Sequence, residues 1–187
     1  MFFGCIVWYN TKVKDVVIAF DQYILEKSLR FEAVVIGGGA LIIMDMVDRK
    51  TKDIDCLDPD IPHQIKEASR NFAKERREFL LDENWLNNGP VTLKNELPKG
   101  WRLRLQNLYE GSAIIFKCLG RDDFLKSKLF AYCDRTNPDF HDLIQLKPTL
   151  EELNDSIEWV KLRDANPLWP AHVEKAFQVL RKALKYE

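Results

Sequence analysis

The chain has 187 residues, 46% hydrophobic and 30% charged, with five Trp and eleven Phe, a composition that buries a core and excludes a disordered chain. Its formal charge is −1, from 28 Lys and Arg against 29 Asp and Glu, which excludes a global field that would hold a polyanion nonspecifically. No apolar run reaches the roughly 18 residues that span a bilayer; the best candidate, Val34 to Val47, is broken by three glycines and Asp45.

Apolar residues at Val13, Val16, Val17, Phe20, Ile24 and Leu25 recur at helical spacing and predict an amphipathic helix over 13–29. Before it, the apolar Phe2 to Tyr9 fits either an edge strand or a docked tail. The β-branched run Ala33-Val34-Val35-Ile36 predicts a buried strand that enters a tight turn at Gly37-Gly38-Gly39. A short enclosed helix is expected from Ala40 to Val47, followed by a strand over Thr51 to Leu57 that Asp58-Pro59-Asp60-Ile61-Pro62 terminates. Helix resumes over 63–79, with Ile65, Ala68, Phe72 and Phe79 as its inward stripe.

The stretch from Asp82 to Gly100 is turn-rich and is expected to be irregular. Alternation in Trp101-Arg102-Leu103-Arg104-Leu105-Gln106-Asn107-Leu108 predicts a strand with Trp101, Leu103 and Leu105 inward and Arg102, Arg104 and Gln106 outward. With a second strand over Ser112 to Leu119, it is expected to pair beside the strand of Asp53. Four helices then follow, over 122–133, 138–146, 149–163 and 170–186. Asp122 or Asp123, Asn137 before Pro138, and Thr149 before Glu152 supply their caps.

Charge is segregated. Lys94 to Arg135 carries nine basic and five acidic residues, whereas Thr136 to Val160 carries one basic and six acidic, so the central segment is the better one to meet phosphate. Cys5, Cys56, Cys118 and Cys133 form no Cys-x-x-Cys pair and read as buried thiols in a reducing interior rather than zinc ligands. With no basic leader evident, the expected compartment is the cytoplasm. His141 lacks partners at metal spacing, and Trp85, Trp159 and Trp169 are expected to pack rather than to stack on bases.

Two carboxylates carry the clearest chemistry. On an extended backbone Asp53 and Asp55 project to one face about 6.6 Å apart, at about 3.3 Å per residue, and can converge on a divalent cation bound to a polyphosphate. Gly37, Gly38 and Gly39 let backbone N–H groups approach phosphate. Arg49 and Lys52 flank the acid pair, and Lys126 or Lys128, with Arg135, can reach a triphosphate from the helical segment. Arg102 and Arg104 suit a polyanionic acceptor, while Asp139 and Asp142 sit where a helix dipole favours them and where Arg135 can pair.

The blocks Val35-Ile36-Gly37-Gly38-Gly39-Ala40-Leu41 and Arg49-x-Thr51-Lys52-Asp53-Ile54-Asp55 resemble the nucleotidyltransferase superfamily in its minimal, DNA polymerase β-like form. Within it the chain is similar to the AbiEii-type toxins of toxin-antitoxin and abortive-infection systems. A looser third block, Phe124 to Leu129 with Ala131, Arg135, Asp139, Asp142 and Leu143, resembles the family's lysine-bearing helix and the acidic segment after it.

The resemblance implies an α+β fold: a small mixed-sheet core over 1–120 with packed helices, and a C-terminal helical lobe over 121–187. It also implies Mg²⁺ or Mn²⁺ on Asp53 and Asp55, a nucleoside triphosphate as substrate, RNA or protein as acceptor, and an antitoxin or toxin partner. The third acid that such enzymes bring from a neighbouring strand is missing from 102–119, where Glu110 is the nearest substitute. The alternative is therefore a noncatalytic member of the fold that binds nucleotide, RNA or protein.

Overall fold

Every other element is arranged around β1 (Phe31–Ile36), whose residues other than Glu32 are all buried, as expected of a strand covered on both faces. A computed structural model describes residues 13–44, 46, 51, 53–89, 92–135 and 139–186; the proposed segment Phe2 to Tyr9 lies outside these residues.

The chain begins with α1 (Val13–Glu26), which buries the predicted stripe of Val13, Val16, Val17, Phe20 and Ile24. β1 then leads directly into α2 (Gly37–Ile43), so the glycines form the first turn of the helix rather than a loop before it. β2 (Ile54–Asp58) and α3 (His63–Glu75) follow, then β3 (Leu86–Asn88) and the short α4 (Leu93–Glu96). β4 (Gln106–Glu110) and β5 (Ile114–Cys118) form a hairpin, and the chain ends in α5 (Arg121–Arg135), α6 (Asp139–Leu146), α7 (Leu150–Lys161) and α8 (Trp169–Ala183). The fold is thus the α+β mixed-sheet arrangement that the sequence implies.

The five strands lie in the order β3-β2-β1-β5-β4. β1 runs antiparallel to β2 and parallel to β5, and β3 runs parallel to β2. Two sequence expectations fail here. The hairpin does not lie beside the acidic strand: β5 pairs with β1 and β4 forms the far edge, while the neighbour of β2 is β3, from a stretch read as irregular. And Trp101 to Arg104 is a turn of 3₁₀ helix, not a strand, entered through Gly100 at φ 77°. Leu103, expected inward, is 91% exposed. At three residues per turn, a 3₁₀ helix does not keep alternate side chains on one face.

β3 is held in place by Trp85. Its ring is 1% exposed and meets Phe20 edge-on at 5.0 Å, in a cluster that includes Phe72. Its indole N–H donates to the Ser69 carbonyl at 3.0 Å, and its own carbonyl accepts from the Ile54 N–H. One side chain thereby fastens β3 to α3 and sets it in register against β2, with Leu86 opposite Ile54 and Asn87 opposite Asp55. Truncation of such a residue to Ala costs about 3–5 kcal/mol.

Asp21 of α1 performs a similar task at the other side of the sheet. Its buried carboxylate accepts from the N–H groups of Ser112, Ala113 and Ile114 at 3.0, 2.9 and 2.6 Å, which anchors the start of β5. In the helical segment, the Tyr132 hydroxyl donates to the Ala176 carbonyl and joins α5 to α8. Thr149 forms the expected capping box with Glu152, and Glu152 also receives Arg121 at 2.6 Å. Cys56, Cys118 and Cys133 are free and buried, Trp85 and Trp169 are buried, and Trp159 packs partly buried against the core. Cys5 and Asn137 lie outside the described residues. No described helix is long and apolar enough to cross a membrane.

Candidate active site

Gly37 is the point where the core strand becomes a helix, and both its conformation and its surroundings require glycine. Its φ is 74°, and a Cβ placed there would lie 2.6 Å from Oδ2 of Asp55. Left-handed backbone disfavours any side chain, and here the missing side chain leaves room for a carboxylate. Gly39 is equally constrained by packing, because a Cβ would come within 2.8 Å of the Asp53 carbonyl oxygen. Gly38 is buried between them. The glycine helix therefore rests directly on the chain that carries both acids.

Asp53 is exposed and immediately precedes β2, which starts at Ile54 rather than at Thr51. Asp55 is half-buried within the strand. Burial pushes its carboxyl above the usual carboxylate range; a hydrogen bond from Asn87 opposes this, the negative charge of Asp53 adds to it, and the positive charges of Arg135 and Lys128 oppose it. These influences place Asp53, Asn87, Lys128 and Arg135 within electrostatic reach of one oxygen pair. Gly89, at the end of β3, also passes close by: a Cβ there would be 3.1 Å from that of Asp55.

The predicted cations divide. Lys128 is 4% exposed, and its ammonium lies between Asp139 at 2.8 Å and Asp142 at 2.7 Å, both fully buried. Arg135 donates to the other oxygen of Asp139 at 2.8 Å, the pairing that the sequence suggested. Burial alone would raise the Asp139 carboxyl, but the hydrogen bonds and charges of Arg135 and Lys128 outweigh it and hold the group below the usual range. Lys126 instead pairs with Asp122 at 2.7 Å, one helical turn away. Arg49 and Lys52 lie outside the described residues.

Other predicted contacts are not available. Arg102 and Arg104 are exposed, as expected, but Arg102 donates twice to Asp58 and Arg104 makes a two-pronged contact with the buried Asp123 at 2.8 Å, so each is engaged by a carboxylate. Glu110 ends β4, three strands from β2, and cannot complete an acidic cluster there. The residue that faces Asp55 from the adjoining strand is Asn87, an amide. Sequence reasoning missed Asn87 and Gly89 because three residues in a turn-rich stretch give no strand signal. The pair Asn88-Gly89 looked like a turn, but its glycine serves a close approach to Asp55. Among the described residues no group of three or more acidic, His or Cys side chains can hold a metal, and His141 is solvent-exposed beside Phe140.

A strand passing straight into a glycine-opened helix, set against a strand edge with two acids in a small mixed sheet, defines the core of a nucleotidyltransferase-type protein. The chain belongs to the family described as nucleotidyltransferase of unknown function (DUF6036), whose model matches residues 11–166. Neither any curated protein nor any solved structure matches the chain.

Proposed function

We propose that the protein transfers a nucleotidyl group from a nucleoside triphosphate to a hydroxyl acceptor, with Asp53 and Asp55 as ligands of Mg²⁺ or Mn²⁺. The observation that carries this reading is the contact between Gly37 and Asp55: the space a side chain would fill lies 2.6 Å from a carboxylate oxygen. The absent side chain lets the Asp55 carboxylate lie against the turn, so that a cation held by that carboxylate and a phosphate approaching the glycine backbone can meet at one point.

The donor set suits a hard cation. Asp55 is a desolvated carboxyl next to a second negative charge, a strain that a divalent ion removes, and Mg²⁺ normally takes one or two protein carboxylates and completes its shell with water and phosphate. Such an ion, when bound, neutralises phosphate charge and polarises the bond that breaks. The chain itself supplies the rest. The Gly37 to Gly39 backbone allows the triphosphate to come close, Asn87 orients Asp55 by its hydrogen bond, and Lys128 and Arg135 hold positive potential over the site against the charge of the departing pyrophosphate. Lys126, committed to Asp122, has no part in this.

The setting implied by the AbiEii resemblance belongs to the same reading: a cytoplasmic toxin with an antitoxin partner and an RNA or protein acceptor. One observation favours a second reading, a noncatalytic nucleotide-binding member of the fold. Asn87 stands where a neighbouring strand would bring an acid, and Lys128 is already neutralised by two carboxylates.

The test is incubation with each labelled nucleoside triphosphate, Mg²⁺ or Mn²⁺, and total cellular RNA and protein. Label transferred to a macromolecule, reduced on the order of a hundredfold or more by Asp53→Asn or Asp55→Asn, supports the enzyme. Triphosphate binding without transfer supports the second reading. Transfer undiminished in both variants rules out this mechanism.

A further inference from the structure

The sheet order places Asp55 between two different surroundings. On the β1 side lies the glycine turn, and on the β3 side, beyond Asn87, lies a polar cleft of about 200 Å³ between the edge strand and α3. Lys66 and Arg70 line it, four residues apart and therefore on one helical face. Neither has a hydrogen-bond or ion-pair partner for its side chain among the described residues. The one carboxylate among the described lining residues, Glu83, is engaged with Lys74 at 3.3 Å.

The amides of Asn84, Asn87 and Asn88, with Ser69, form the rest of the polar wall. Asn88 is fixed by its Oδ1, which accepts from the Ile61 N–H at 3.4 Å, and its amide nitrogen is buried with no partner among the described residues. Two unpaired cations and several amide groups around one cleft recognise oxygen acceptors that carry negative charge.

We propose that this cleft binds a phosphate group of the acceptor, namely a phosphodiester of a ribonucleotide chain. The inference rests on the transferase reading and gives the acceptor its place. In-line displacement sends the attacking hydroxyl and the departing pyrophosphate to opposite sides of the phosphorus. With the triphosphate at the glycine turn, the acceptor then falls on the β3 side of Asp55. Asn87 belongs to both sites: it hydrogen-bonds Asp55 and lines the cleft. A ribonucleotide chain supplies both a hydroxyl for the reaction and a phosphate for Lys66 and Arg70, whereas an unmodified protein acceptor supplies only the hydroxyl.

The experiment follows backbone amide signals of Ser69, Asn84, Asn87 and Asn88 by NMR in the full chain. Inorganic phosphate, a nucleoside triphosphate and a short oligoribonucleotide are titrated separately into the wild type, the double variant Lys66→Gln/Arg70→Gln and Asp55→Asn. The expected result is a response of these amides to phosphate and to the oligoribonucleotide, weakened about tenfold or more in the double variant and retained in Asp55→Asn. The slope of log affinity for the oligoribonucleotide against log salt should also become shallower by about 0.7 when the one phosphate contact on a single strand is lost. Arg70→Glu, at an exposed position, repeats the test should the double variant not fold.

Silent amides, an unchanged response in a folded variant, or a response to the triphosphate but not to the oligoribonucleotide would each overturn the assignment. A cleft that binds the oligoribonucleotide in a protein incapable of transfer upholds this site and removes the transferase reading. Transfer to RNA with a silent cleft does the reverse.

Discussion

Two carboxylates, Asp55 on β2 and Asp139 on α6, are both drawn out of water, yet they sit in opposite electrostatic states. Asp139 is fully buried and carries its charge readily, because Lys128 and Arg135 each donate to it at 2.8 Å. Asp55 is less buried but is held above the ordinary carboxylate range by desolvation, with one amide donor at hand and a second acid nearby. A buried charge with its partners in place is a structural joint. A desolvated acid with weaker compensation, packed against a glycine turn, is what the proposed cation site requires.

The largest effect is expected from breaking the joint. Lys128→Met leaves Asp139 and Asp142 buried without their shared cation, and loss of one partner of such a pair costs about 3–5 kcal/mol, read as a lower midpoint of denaturant unfolding. Gly37→Ala attacks the open site instead. Its left-handed φ costs about 1–2 kcal/mol in an L-residue, and its methyl group overlaps Asp55, so nucleoside triphosphate binding by calorimetry should vanish while the fold persists.

Acid separates the two carboxylates by sign. The folded-state value of Asp139 is lowered, so its contribution to stability is complete above the unfolded value of 3.8 and disappears as pH falls through the lower folded value. The value of Asp55 is raised, so its penalty is absent at pH below 3.8, grows as pH rises from there to the higher folded value, and is complete above it. Asp55→Asn should therefore unfold later than the wild type at pH 7, by an advantage that is absent at pH 3. An advantage equal at both pH values would separate Asp55 from this account. The smallest effect is the removal of the capping box: Thr149→Ala should cost about 1 kcal/mol and leave triphosphate binding unchanged, since the hydrogen bonds of the Thr149 side chain serve the start of α7.

What could be read from the sequence depended on how local the signal was. The strand that ends at Gly37, the acidic pair and the four terminal helices carry their own periodicity and caps, and the structure has them within a few residues. Leu86–Asn88 carries no such signal. It is a strand because Trp85, buried against Phe20 and Phe72, aligns it with β2, a tertiary cause that no window of residues displays. The reverse holds at Trp101 to Arg104, where alternation imitates a strand but Arg102 and Arg104 are drawn to Asp58 and Asp123. Lys128 looked like a ligand-facing cation, and its two buried acids are 11 and 14 residues further along the chain.

The most direct measurement is the titration of the Asp55 side-chain carboxyl by ¹³C NMR, first alone and then with Mg²⁺ and a nonhydrolysable nucleoside triphosphate. The account predicts a midpoint above that of an ordinary aspartate in the free protein and a marked fall once the cation and triphosphate are present. An ordinary midpoint that ignores both additions would contradict it.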